Sequence, residues 1–204
     1  MKDTNILAID LAKNVFQVCK RDPKGKVLFN RELSRAKLKE MLVKQPRSLV
    51  AMEACGSAQY WARLARALGH EVKVISARTV KPFQTKQKTD RNDALAIAIA
   101  ASQEHIHGAR VQSAEEQALQ SLERARHLAK THQIAQSNQI RGLLGEFGII
   151  VPPSLSQLRK HIPFILEDAE NSLPQSFRET LNYLWQHLLQ QIEHVAILER
   201  QLEG

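Results

Sequence analysis

Asp90 and Asp93 stand three residues apart within Lys86-Gln-Lys-Thr-Asp90-Arg-Asn-Asp93-Ala94, directly ahead of the apolar run Leu95-Ala-Ile-Ala-Ile-Ala-Ala101. In the opening turn of a helix that spacing sets two carboxylates one turn apart on one face, where they can share a divalent cation. The run behind them leaves little polar face, so the pattern predicts a buried helix whose first turn carries the acids. A plainer reading stands beside it: Asp90 as an N-cap and Asp93 as a first-turn acid favoured by the helix dipole. Two further acids, Asp10 and Glu53, each follow a short apolar run, Ile6-Leu-Ala-Ile9 and Leu49-Val-Ala-Met52. The carboxyl ends of strands in open α/β sheets are where ligands gather. Hard carboxylate oxygens suit Mg²⁺ or Mn²⁺, which keep several waters and also take oxygens from substrate phosphates. Two such ions about 4 Å apart stabilise both the entering and the leaving oxygen of an in-line phosphoryl displacement. The neighbouring cations fit that substrate. Arg78, Lys81, Lys86, Lys88 and Arg91 line the approach to Asp90, and Lys13 follows Asp10. Such side chains hold phosphates without reading bases, although each taken singly is as readily a solvated charge.

The elements that must position these residues follow from the pattern. Ile6–Asp10, Val15–Cys19 and Lys26–Asn30 are strand-like runs joined by short turns, one of them Asp22-Pro-Lys-Gly25, which implies an antiparallel meander. Ser34 caps a helix with Leu38, Met41 and Leu42 on one face, ended by Gln45-Pro46. Ser48–Met52 is a fourth strand, Ala58–Leu68 a helix closed by Gly69, and Glu71–Ile75 a fifth strand. Ser57 reads as the N-cap of the Ala58 helix. The order β-β-β-α-β-α-β followed by the acidic helix predicts an α/β fold with a mixed sheet. From Gln112 onward the pattern is helical throughout. Ala118, Leu122, Ala125, Ala129 and His132 form one stripe, and a last helix from about Phe177 to Leu202 carries Leu181, Trp185, Leu188, Ile192, Val195 and Leu198 at three- and four-residue spacing. That narrow seam fits a coiled coil, within the chain or between two copies, and equally a helix packed on its own domain. The expected division is residues 1–108, a long helix over 109–150 completing the first domain, and a helical assembly segment over 151–204.

The charge is unevenly spread. Residues 1–100 hold 20 Lys and Arg against 9 Asp and Glu, whereas residues 101–204 hold 9 against 12. A basic amino-terminal half points to a polyanionic partner, nucleic acid first, with a merely solvated basic surface as the bland alternative. Cys19 and Cys55 form no disulfide framework or zinc spacing and read as buried thiols of a reducing compartment. No signal-like or membrane-length apolar run is visible, so a soluble cytoplasmic protein is expected. The eight histidines, His105-Ile-His107 included, are read as surface or helix-end residues rather than metal ligands. Of Tyr60 and Trp61, at the start of an amphipathic helix, one is expected in the core.

Three separated motifs, Ile-Leu-Ala-Ile-Asp10-Leu-Ala-Lys, Val-Ala-Met-Glu53-Ala-Cys-Gly and Lys-Thr-Asp90-Arg-Asn-Asp93-Ala, together resemble the DEDD-type insertion-sequence transposases, whose relatives include the Piv and MooV DNA invertases. Asn138–Gly148 is similar to the end of that family's amino-terminal domain. The resemblance covers about residues 5–150. It implies a RuvC-like, ribonuclease-H-type fold, with Asp10, Glu53, Asp90 and Asp93 as catalytic metal ligands for Mg²⁺ or Mn²⁺, followed by a helical coiled-coil segment. It also implies DNA as a partner, a structured guide RNA encoded by the element, and self-association through the helical segment. In that family a carboxyl-terminal domain follows and contributes a catalytic serine; the 204 residues stop before such a domain, so a catalytic amino-terminal part lacking it is expected. Other readings remain at this point. A Holliday-junction-type nuclease would share the fold and the four acids. A strand ending in Asp-Leu-Ala-Lys is similar to the first phosphate loop of actin-like ATPases, but their Gly-rich second loop is missing. A non-catalytic nucleic-acid-binding, dimerising module would use the acids structurally.

Overall fold

The computed structural model describes residues 4–84 and 89–203, which leaves Lys86 and Lys88 outside the described residues. The chain divides into two compact units, one running to Ser113 and the other starting at Ala114. The first holds β1 (Ile6–Asp10), β2 (Val15–Arg21), β3 (Val27–Ser34), α1 (Arg35–Lys44), β4 (Leu49–Glu53), α2 (Ala58–Ala67), β5 (Glu71–Ile75), α3 (Ala77–Val80), a 3₁₀ turn at Lys81–Phe83, and α4 (Asp90–Ser102). The second holds α5 (Ala114–Glu146), α6 (Leu155–Glu167) and α7 (Gln175–Glu203). The fold is thus the expected α/β unit with a mixed sheet, followed by an all-α unit.

Strand alternation decides which residues face which helices. The five strands lie in the order β3-β2-β1-β4-β5, with β1, β2 and β3 antiparallel and β4 and β5 running parallel to β1. Successive side chains point to opposite faces. Leu7, Ile9, Phe16, Val18, Val50 and Met52 meet α1 and α2, whereas Ile6, Ala8, Cys19, Leu49 and Ala51 meet α4. On the first face Phe16 packs edge-on against the fully buried Trp61 with ring centroids 5.1 Å apart, an arrangement favoured by the ring quadrupoles. On the second, Ala94, Ala96, Ala98, Ala100 and Ala101 are all buried. Side chains this short let the backbone of α4 lie close to the sheet.

Local sequence explains most element ends. Ser34 caps α1 by accepting from the Lys37 N–H, and Gly69 ends α2 at φ +86° while the His70 N–H reaches back to the Ala65 carbonyl. Ser57 departs from its expected role: it already has helical backbone angles (φ −103°, ψ −4°) and makes no side-chain cap bond. A capping side chain needs the extended conformation to reach the N2 or N3 amide. His70 also departs from the surface reading. It is buried, its Nδ1 accepting from the Ser48 N–H and its Nε2 donating to the Leu42 carbonyl, which ties α1 to the start of β4. Beyond α4 the chain returns to the outer edge of β5, where the Ala109 N–H donates to the Val74 carbonyl at 2.7 Å.

In the second unit Leu181, Trp185 and Leu188 of α7 share one core with Ile140 and Leu144 of α5 and Leu158 and Ile162 of α6. The α7 seam is therefore filled within its own unit. Ala118, Ala125 and His132 are exposed, while Leu122 and Ala129 are half-buried. Among the described residues no helix is long and apolar enough to cross a membrane.

Candidate carboxylate site

Asp10 ends β1 with the same parity as Ile6 and Ala8, which sends its side chain to the α4 face. There it meets the first turn of α4: one carboxylate oxygen each from Asp10, Asp90 and Asp93 all lie within 4.8 Å of one another. Three anionic groups that close repel, and a bound cation relieves the repulsion. Glu53 is outside this group of three. Its strand runs parallel beside β1, with Met52 opposite Ile9, and its parity with Leu49 and Ala51 places it on the same face, half-buried one residue further on.

The helix start is set by Thr89, whose backbone is extended and whose hydroxyl accepts from the Asn92 N–H at 3.3 Å. Thr89 rather than Asp90 is thus the N-cap, and Asp90 is the first helical residue. Three amide side chains brace this turn. Gln84 donates to the Asp93 carboxylate at 3.1 Å. Gln17, directly opposite Asp10 in the β1–β2 register, donates to the Asn30 side-chain oxygen at 2.6 Å. Asn30 in turn donates to the Arg91 carbonyl at 2.8 Å, which links β2 and β3 to α4. Gln17, Asn30 and Arg91 line an open groove with Arg31, Glu32, Thr89 and Asp90. Sequence reasoning missed all three amides. Gln17 carries a signal, a polar residue set between Phe16 and Val18 in an apolar strand, whereas Asn30 on an edge strand and Gln84 in a turn carry none.

The cations divide. Lys13, Arg78, Lys81 and Arg91 are all exposed: Lys13 in the β1–β2 turn just past Asp10, Arg78 on α3, Lys81 in the 3₁₀ turn, and Arg91 beside Asp90 in the groove. Of the thiols only Cys19 is buried, and burial pushes its pKa up despite the nearby Arg21 and Arg91; Cys55 is exposed on the turn after Glu53, its Sγ 3.7 Å from the Ser57 hydroxyl.

Known proteins are similar to this chain in structure and, separately, in sequence. Among solved structures, RuvC of Thermus thermophilus covers 52% of this chain and 99% of its own at 14% identity, with a TM-score of 0.40. A second structure of that protein, with a Holliday junction substrate, gives 12% identity and a TM-score of 0.36 over 48% of this chain and 91% of its own. Overlaps this loose carry no weight alone. Sequence likeness is firmer. The transposase for insertion sequence element IS1111A of Coxiella burnetii is 36% identical over all 204 residues, and a probable family 20 transposase of Pseudomonas aeruginosa is 40% identical over 199 residues, 97% of the chain. The chain spans little more than half the length of these relatives, 56% and 59% respectively. A profile described as transposase, of the DEDD type named for IS110, matches residues 7–149, and on that match the chain belongs to the IS110-type DEDD transposase family.

Proposed function

We propose that this chain is the catalytic amino-terminal part of a metal-dependent DNA transposase or site-specific recombinase, with Asp10, Glu53, Asp90 and Asp93 as its Mg²⁺ or Mn²⁺ ligands. The observation that carries the reading is the meeting of Asp10 with Asp90 and Asp93 across the sheet–helix boundary, all within 4.8 Å. The donor set fits the group: every side chain in it is a carboxylate, the ligand type hard divalent ions select. When bound, such an ion supplies Lewis-acid stabilisation of charge on phosphoryl oxygens.

The chain's own residues do the positioning. Thr89 and the Gln17–Asn30 pair fix the first turn of α4, and Gln84 orients one oxygen of Asp93, so the carboxylates stand ready before substrate arrives. Arg91 beside Asp90, with Lys13, Arg78 and Lys81, holds DNA phosphates as point charges; Lys86 and Lys88 belong to the same proposal but lie outside the described residues. DNA is the substrate by analogy with relatives whose names are those of transposases of insertion sequences. A structured guide RNA, self-association through the helical unit and a catalytic serine from a further domain are the corresponding proposals for the whole protein.

Calorimetric titration of Mg²⁺ and Mn²⁺ into the wild type, Asp10→Ala and Glu53→Ala tests the site. Binding in the wild type that is lost in Asp10→Ala supports it. Equal binding in all three proteins, or none in any of them, overturns it.

A further inference from the structure

On the sheet face away from α4, helices α1 and α2 carry a second cluster of groups that the carboxylate site does not use. Arg35 lies 5.2 Å from the ring centre of Tyr60 and 5.1 Å from that of Trp61, and Lys39 lies 5.7 Å from the Tyr60 ring. The two rings meet edge-on at 5.4 Å. Trp61 is core, whereas Tyr60 is 38% exposed and both cations are exposed. The Lys39 ammonium beside the Tyr60 hydroxyl lowers the pKa of that phenol.

The ion pairing of the described residues separates this cluster from an ordinary charged surface. Glu40, the one acid on α1, pairs with Lys44 at the far end of the helix. Among the described residues neither Arg35 nor Lys39 makes an ion pair with a carboxylate. Lys37 and Arg66 add two more exposed cations to the same helices. Long cationic side chains lose rotamer entropy when they grip a ligand, and rings that hold their charged heads in place reduce that loss. Two aromatic-braced cations without an acidic partner are therefore a preorganised anion holder. Position supports it as well: Ser34 pairs with Val15, so α1 starts at the same end of the sheet at which Asp10 stands.

We infer that Arg35 and Lys39, braced by Tyr60 and Trp61, form a phosphate-holding site for a nucleic-acid segment other than the one at the carboxylates. The choice of nucleic acid over another polyanion rests on the function proposed above; the cation pair itself does not. Separate measurements keep the two apart. Binding of fluorescein-labelled single-stranded DNA, duplex DNA and an RNA hairpin is measured by anisotropy in EDTA, where the carboxylates have no metal, over a series of salt concentrations. The variant is Arg35→Gln with Lys39→Gln, which removes both charges and keeps a polar side chain at each position; Lys24→Gln with Lys26→Gln, in the exposed β2–β3 turn, removes the same charge elsewhere. The expected result is a roughly tenfold rise in Kd for the first pair, with the slope of log K on log salt reduced by about 1.4 to 1.8, as loss of two phosphate contacts requires. The strand type most affected identifies the ligand, and Mg²⁺ titration of the same variant stays as in the wild type. Equal losses in both pairs, an unchanged slope, preferential loss of an acidic peptide used as competitor, or no nucleic-acid binding by the wild type would each overturn the assignment.

Discussion

Asp10→Asn removes one of three anions that stand within 4.8 Å of each other, so without metal its melting temperature should match or exceed that of the wild type. Added Mg²⁺ should separate the two proteins: at a hundredfold excess over Kd the wild type gains about 2.7 kcal/mol, and the variant gains much less. Thermal melts with and without Mg²⁺ check both halves; a variant that melts far below the wild type in EDTA would mark Asp10 as a structural acid. Asn30→Ala deletes the donor to the Arg91 carbonyl and leaves Gln17, 7% exposed, without its acceptor. A loss of about 1–3 kcal/mol is expected, with faster amide exchange in the first turn of α4.

At the scale of elements, α4 has alanines where most core helices have leucines, and their small size brings Asp90 and Asp93 within reach of β1. Ala98→Leu should cost about 1–3 kcal/mol by overpacking and weaken Mg²⁺ binding as well, measured by denaturant melts and calorimetry. Gly108 meets a similar limit: a Cβ there would lie 3.0 Å from the Lys73 Cα and 3.1 Å from the Val74 nitrogen. In the helical unit Glu199 takes a hydrogen bond from Lys130 at 2.6 Å, which holds its carboxyl below the ordinary 4.5. A lowered folded-state pKa gives stability that is present above pH 4.5 and is lost as the pH falls through the folded value, so Glu199→Gln should flatten that acid limb of the melting curve. These elements were largely legible in advance, because period-two strands, the Ser34 cap and Gly69 speak through local chemistry. The grouping of Asp10 with Asp90 and Asp93 was inferable from strand ends and helix start. Two of the amide braces were not, since Asn30 acts through Arg91, 61 residues further on, and Gln84 lies in a turn without periodic pattern. Ser57 does not cap α2, and Thr89 rather than Asp90 caps α4, because capping depends on backbone angle as much as on residue type.

For the molecule as a whole, the four acids and the basic excess both belong to the unit that ends at Ser113. A fragment of residues 1–113 should fold by itself and keep the Mg²⁺ titration of the full chain, a result visible in a dispersed amide spectrum. The seat of α4 on the sheet has one more consequence. Asp10 lies in the first strand, whereas its partners lie on the last helix of the unit, and they meet only when the alanine face docks. During synthesis the emerging chain therefore displays β1 to β5 before any divalent-ion site exists. The proposed ion site is thus among the last features of the unit to form: an emerging chain that shows β1 to β5 has Asp10 and Glu53 in place but neither Asp90 nor Asp93 beside them.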